Sequence, residues 1–460
     1  ARFLRGQESS VRCLAGEPRQ LANIRCLLLL DSDTRLTPGS AAELIGAMLH
    51  PLNRPVIDAQ HRIVTAGYGI IQPRITTELA SARQTPFSRL FAGQGGTDPY
   101  SSLCGEVNMD LTGSSVFTGK GILDIDAFLT CAGDLPEGCI LSHDALEGAL
   151  LRCGWAGDIE LTDAFPGTVI GFYRRAHRWI RGDWQNAPWV FSRRRTLHME
   201  DRWRLFDNLR RSLVAPAVLL CLLCGFLGGS IPAALLALGC FVIDLLIAAL
   251  HSILYRPETG ERYHSTVIYG LPGALCQSAV MLILLPYAAW ISLSAAAAAL
   301  YRMFVSRRDL LEWSVSAWSG SVSLHVYVRS MLPASALGLG CLLLSGSVPG
   351  KTAGLIWLLS PAAAWILSRQ SSGRKKSLSC RDRCWLLTRA REIWGYFDDF
   401  MNAENHYLPP DNWQERPPVG LARRTSPTNI GLALLSVLSA ADLGIITPEQ
   451  AAGRISAVLD

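Results

Sequence analysis

Charge is scarce in this chain of 460 residues. Lys, Arg, Asp and Glu together make up 18% of it, and the mean hydropathy is +0.23, too apolar for an ordinary soluble enzyme. The deficit is local. Up to about residue 205 the chain reads as a soluble α/β domain, and from 212 to 367 it reads as membrane. The net charge of +5 sits largely in clusters flanking the apolar runs, which points to membrane topology and gives no indication of a nucleic-acid partner. Zinc spacing is missing from the thirteen cysteines. Cys221-x-x-Cys224 falls inside an apolar run, where small buried thiols are expected, and free thiols suit a reducing cytoplasm. No signal peptide is expected from the residues at its start. Gly119-Lys120-Gly121 lacks the full spacing of a phosphate loop. There is no initiating Met, so the chain is expected to be a piece of a longer protein.

What is present begins with Cys26-Leu27-Leu28-Leu29-Leu30, followed at once by Asp31-Ser32-Asp33. The apolar run predicts a buried strand of a parallel sheet. Ligands of open α/β sheets bind beyond the carboxyl ends of the strands, where these two acids would lie. Asp31 and Asp33 are therefore candidate ligands for Mg²⁺ or Mn²⁺, hard cations that take oxygen donors and share substrate phosphates. A polar turn capping a helix that starts near Pro38 is the bland alternative.

Further on, Ser142-His143-Asp144-Ala145-Leu146-Glu147-Gly148 places a carboxylate at the expected start of a helix. Arg174-Arg175-Ala176-His177-Arg178-Trp179-Ile180-Arg181-Gly182-Asp183-Trp184-Gln185 then packs cations and indoles into one stretch. An acid pair, a single acid, an Arg-Trp pair and then apolar spans resemble the order in membrane-bound processive glycosyltransferases. Arg178-Trp179 matches the end of their Gln-x-x-Arg-Trp motif, with Arg175 where that motif has Gln. The fuller wording resembles the glycosyltransferase domain of bacterial cyclic β-1,2-glucan synthases. The resemblance implies an α/β GT-A-like domain at 1–205, a membrane region at 206–370 and the start of an (α/α)-barrel glucan-processing domain at 380–460. Only about 30 residues precede Asp31, so the GT-A-like domain is expected to be N-terminally truncated, without its uracil-binding half.

The resemblance also implies an inverting transferase of the bacterial inner membrane. It would build β-1,2-glucan from UDP-glucose onto a growing chain, with its soluble parts in the cytoplasm. The alternatives are a processive synthase of another β-glycan and an inactive membrane scaffold. In that chemistry a divalent cation offsets charge on the leaving diphosphate, a role for Asp31 and Asp33. A base takes the acceptor's proton, a role for Asp144; otherwise Asp144 is an acid complementing a helix dipole. Arg178 suits bidentate diphosphate binding and Trp179 stacking on a sugar, with Arg175, His177 and Trp184 as helpers. The competing view is a basic aromatic stretch seated at a membrane surface. Tyr100, in the glycine-rich stretch 93–100, is a candidate protein-linked acceptor.

Local patterns predict strands at 24–30, 68–72 and 156–161 and helices at 41–49 and 144–153. Apolar spans are expected at 213–228, 231–253, 331–348 and 353–367. Segment 276–300 is also apolar but is interrupted by Pro286. The basic clusters around Arg211, Arg302 and Arg369 share the cytoplasmic side only if 276–300 does not cross, so an interfacial or re-entrant segment is expected there. In the tail, Leu408-Pro409-Pro410-Asp411-Asn412 and Arg424-Thr425-Ser426-Pro427-Thr428-Asn429-Ile430-Gly431 carry the glucan-processing resemblance, and a helical hairpin follows.

Overall fold

The computed structural model describes residues 1–7, 21, 23–92, 105–136, 138–192, 197–254, 270–312, 323–370 and 379–459. It divides into two units, Ala1–Ser371 and Ser372–Asp460. The first opens with β1 (Cys26–Leu29), β2 (Thr34–Leu36), α1 (Ser40–Leu49), β3 (Val56–Asp58), β4 (Ile63–Ala66) and β5 (Ile70–Thr77). Next come α2 (Leu79–Ala82), α3 (Pro86–Phe91), α4 (Val107–Thr112), β6 (Gly121–Asp124), α5 (Ile125–Ala132), α6 (Asp144–Leu151) and β7 (Cys153–Asp163). α7 (Val169–Gln185), α8 (Ala187–Phe191) and α9 (Met199–Ser212) complete the α/β part.

The main sheet has the order β1-β6-β5-β7-β2. β5 and β7 are parallel, while β6 is antiparallel to both β1 and β5, and β2 is antiparallel to β7. The sheet is therefore mixed, not parallel as expected. β1 is half-buried at its edge, with a strand partner on one side only, and so is not the buried strand the Leu run suggested. Strand alternation divides the core. Ile71 and Ile122 face α1, where Leu44 and Met48 pack. Ile70 and Leu123 face the opposite way, toward Ile125, Leu146 and Leu150 of α5 and α6.

The apolar half follows as α10 (Val214–Gly228), α11 (Ile231–Leu254), α12 (Gly270–Tyr301), α13 (Leu324–Ser330), α14 (Leu332–Leu344), α15 (Val348–Leu358) and α16 (Ser360–Leu367). The first expected pair falls on α10 and α11, but α10 is long enough to span only together with α9, across a 41° bend, and α11 counts as a shorter apolar helix. Of the second pair, 331–348 falls on α14, and 353–367 is divided between α15 and α16. α13 and α14 meet at a 71° bend, and α15 and α16 at 50°, where Pro361 in the first turn of α16 cannot donate to a continuing helical ladder. Cys221 is half-buried and Cys224 exposed, because Val218 and Leu222 take the packed face of α10.

The expected interruption at Pro286 is absent, and α12 runs unbroken through it. A helical proline leaves the carbonyl four residues back without its donor. Here the Trp357 indole donates to that carbonyl, Leu282 O, at 3.0 Å. By length and composition Leu271–Ser306 is the one described helix able to cross a membrane alone, or up to four spans exist if each bent pair counts as one. One side of α12, at Val280, Leu284 and Tyr287, packs on α3 and α7. Its other side, at Leu285, packs on Val218, Ala237, Cys341 and Trp357 of the helix pairs.

The second unit contains α17 (Cys380–Phe400), the short hairpin β8 (Trp413–Gln414) and β9 (Gly420–Leu421), and α18 (Pro427–Asp442) and α19 (Pro448–Leu459). Trp394, Val437 and Ala451 sit in its core. The two tail phrases meet at Asp411, which accepts from Arg424 Nε at 3.1 Å and Asn429 Nδ2 at 3.0 Å. Both bonds hold its carboxyl below the ordinary value.

Candidate active site

A cavity of about 370 Å³ opens beside the carboxyl end of β1. Asp31, Thr118, Lys120, Ser142, Asp144, Arg178, Trp179 and Asp183 are among the residues lining it. Four of the side chains singled out from the sequence, Asp31, Asp144, Arg178 and Trp179, thus come together from three distant segments.

Asp144 is the first residue of α6, as expected, and Ser142 Oγ donates to its Oδ2 at 3.2 Å. Burial pushes its pKa up, and the negative charges of Glu147 and Asp31 add to this against the opposing effects of His143 and Ser142. A carboxylate so placed is a stronger base than one in water. Its loop is anchored from α7. Gln185 accepts from Leu141 N at 2.7 Å, and Asn186 donates to Ser142 O at 3.0 Å. Gly182 makes this approach possible, since a Cβ there would lie 2.5 Å from the Ser142 Cβ.

α7 presents two faces, fixed by its period of 3.6 residues. Arg178, Trp179 and Asp183 face the cavity. Arg175 is buried beneath them, its guanidinium 4.5 Å from the centre of the Trp179 ring, a cation–π distance. Burial lowers the Arg175 pKa, while the charges of Asp33 and Asp163 work the other way. His177 belongs to the opposite face and does not line the cavity. Burial lowers its pKa first, then the neighbouring charges of Arg181 and Arg302. Trp184 also turns away and donates to Ser212 Oγ at 3.0 Å. Tyr100 lies outside the described residues.

Asp31 and Asp33 occupy the turn between β1 and β2. The bland alternative for them fails, because α1 is capped by Gly39 with no side-chain cap bond. Asp31 keeps a half-exposed carboxylate, 3.2 Å from Lys120 Nζ. Asp33 does not line the cavity, although its charge reaches Arg175. Both offer oxygen donors of the class that suits Mg²⁺ or Mn²⁺, with Asp31 alone of the two presented to the cavity. Among the described residues the one three-donor cluster is His143, Asp144 and Glu147. Its imidazole is already engaged, with His143 Nδ1 2.8 Å from Glu147 Oε1.

Over 450 residues, 94% of its length, the chain is 37% identical to the cyclic beta-(1,2)-glucan synthase NdvB of Rhizobium meliloti (strain 1021). The chain is a homologue of the cyclic β-(1,2)-glucan synthases. It spans 16% of the length of that relative. It is also 29% identical over 224 residues to the glucans biosynthesis glucosyltransferase H of Rhodopseudomonas palustris (strain BisA53), covering 45% of this chain and 28% of the relative. A third relative, the glucans biosynthesis glucosyltransferase H of Bradyrhizobium diazoefficiens, is 30% identical over 222 residues, 44% of this chain and 26% of that protein. No family model matches. These relatives support a glycosyltransferase.

Two cavity residues of this glycosyltransferase homologue had no signal in the sequence reading. Asp183 lies in the Arg-Trp stretch, where no motif position marks it. Its pKa is pushed up to about 7, chiefly by burial, against the opposing charge of Arg211 and a hydrogen bond from Asn208. Lys120 belongs to an incomplete phosphate loop, yet its side chain is 9% exposed and lies 2.6 Å from Asp163 Oδ2. A buried lysine paired with strand-end acids is a signal only once the strand pairing is known.

Proposed function

We propose that this chain carries the transferase site of a membrane-bound, inverting glucosyltransferase that polymerises glucose from UDP-glucose into β-1,2-glucan, with ring closure by a downstream domain. The observation that carries this proposal is the convergence of Asp31, Asp144, Arg178 and Trp179 on one cavity. Asp144 takes the proton of the acceptor hydroxyl. The acceptor oxygen forms its bond to the anomeric carbon from the face opposite the nucleotide. The bond from that carbon to the diphosphate oxygen breaks, and UDP leaves with the electron pair. Arg178 holds the diphosphate, and Trp179 offers its exposed ring to the acceptor sugar. Mg²⁺ or Mn²⁺ held by Asp31 and Asp33 would neutralise charge on the leaving group.

We place the protein in the bacterial inner membrane with the α/β part on the cytoplasmic side. α12 then lies along the membrane face and does not cross. What supports this is its contact with the α/β part at separate points along the helix, Gln277 Nε2 donating to Leu90 O at 2.6 Å and Tyr287 meeting Tyr173 edge-on at 5.1 Å.

The test is product formation by the full-length protein in membranes, given labelled UDP-glucose and Mg²⁺ or Mn²⁺, with and without Asp144→Asn. Glucan with β-1,2 linkages on methylation analysis, falling about 10²-fold or more in the variant, is the expected result. Another linkage moves the protein to a different β-glycan synthase with the same site. Equal activity in the two proteins reduces Asp144 to a helix-terminal acid.

A further inference from the structure

Lys120 is a charged side chain of the cavity to which the proposed chemistry gives no task. Two strand ladders bring it there. The antiparallel register of β1 and β6 runs from Cys26 opposite Asp124 to Leu29 opposite Gly121, and one step further it places Leu30 opposite Lys120. The ladder of β2 and β7 sets Thr34 opposite Asp163, and Thr34 Oγ1 donates to Asp163 Oδ1 at 2.7 Å. The ammonium of Lys120 bridges the two ladders, 2.6 Å from buried Asp163 and 3.2 Å from half-exposed Asp31.

The flanking glycines hold the lysine in this position. Gly119 has φ +89° and packs against the Asp144 carboxyl, which a Cβ would meet at 3.1 Å. Gly121 has φ +147°, and a Cβ there would lie 2.3 Å from Ile71 O. Both conformations favour glycine. The Gly-Lys-Gly segment is thus a fixed bracket that presents one cation between the acid pair and Asp144.

Asp163 alone neutralises Lys120 from below. Asp31 is a second and more exposed anionic partner on the cavity side. We propose that Lys120 is a donor-binding residue: its ammonium is shared between Asp31 and the donor diphosphate and competes with the divalent cation for the Asp31 carboxylate. This rests on the donor-site assignment proposed above. Two opposite effects follow on removing the ammonium. The diphosphate loses a charge-assisted contact, and Asp31 loses the cation that screens it from a metal.

The test uses the full-length protein purified in detergent. UDP affinity is measured by calorimetry, and Mn²⁺ affinity without nucleotide by electron paramagnetic resonance. The variants are Lys120→Met and the charge-balanced pair Lys120→Met with Asp163→Asn, which does not leave Asp163 as a buried unpaired carboxylate. His177→Gln, on the opposite face of α7, serves as the control that retains UDP binding. UDP affinity is expected to fall about tenfold or more in both Lys120 variants, while Mn²⁺ binds the Lys120→Met protein several-fold more tightly. Unchanged UDP affinity in both Lys120 variants, with wild type binding normally, overturns the proposal. So does a fall in UDP affinity with Mn²⁺ binding unchanged or weakened, because a purely structural lysine gives that pattern. Absence of UDP binding in wild type instead removes the donor-site assignment, and this proposal with it.

Discussion

On one face of α7, Arg178 and Trp179 look into the cavity with Asp183, over the buried Arg175. On the other face, His177 and Arg181 look toward α12 and the turn that follows it. There Arg181 donates to Glu312 O at 2.7 Å and Leu310 O at 3.1 Å, and Tyr173 meets Tyr287 edge-on at 5.1 Å. The residue types on the two faces are nearly the same, cations and aromatic rings, but their partners differ. One set lines the cavity beside carboxylates, and the other meets backbone carbonyls and rings. A basic aromatic stretch therefore holds both a ligand-binding edge and a structural clamp, and helical phase sorts its residues between them.

The sharpest test of this division sets Arg178→Ala against Arg181→Ala. Loss of the cavity-facing guanidinium is expected to lower glucan formation from UDP-glucose roughly 10- to 100-fold, the cost of a charge-assisted contact to the diphosphate, with little change in thermal stability. Arg181→Ala removes the donor to Glu312 O, while Leu310 O keeps Gln185 Nε2 and Asp309 O keeps Arg302 Nη1, and should cost about 1–2 kcal/mol of stability, seen as an earlier melting transition in detergent. Its activity per folded molecule should stay near wild type. If the two variants exchange these effects, the assignment of the faces is reversed.

Asp183 sharpens the cavity side of the comparison. Burial raises its folded-state pKa from 3.8 to about 7, so the folded protein binds its proton more tightly than the unfolded chain does. The stability this contributes is complete below the unfolded value and is lost as pH rises through about 7. Asp183→Asn keeps an acceptor for Asn208 and never ionises. Its melting temperature should therefore exceed that of wild type by a margin that is small near about pH 5 and grows toward about pH 8. A margin that does not vary with pH would mean that Asp183 is solvated and ionised throughout.

The sequence made the elements of the site visible, but their arrangement was hidden. Asp144 opened a helix in the pattern of residues and does so in the fold, because the signal is local: a polar Ser-His-Asp run ahead of an apolar stripe. The Leu run at β1 was legible as a strand but its place in the sheet was not, since edge position and antiparallel pairing depend on β6, far along the chain. The same pairing hid Lys120, whose partners are Asp31 and Asp163. α12 was misread at Pro286 because the donor that satisfies Leu282 O is a tryptophan some seventy residues later. Motif spacing alone gave Arg175, His177, Arg178 and Trp179 a shared role, which the turn of the helix then divided.

The smallest effect is expected at His177, and it bears most directly on that division. Spacing puts it next to Arg178, where a protonated imidazole would be a natural diphosphate ligand. Two features of the structure oppose that role. Its side chain projects from the α12 face, and burial with the nearby charges of Arg181 and Arg302 moves its pKa below the ordinary 6.5, so the ring is neutral at neutral pH. A neutral ring on the far side of the helix contributes packing and no charge. His177→Gln should accordingly keep UDP affinity and glucan formation within about twofold of wild type, and activity should show no new pH dependence between about pH 6 and 8. A tenfold loss of UDP affinity in this variant, with the melting transition unmoved, would place His177 in the cavity and break the division of α7 into a binding face and a clamp.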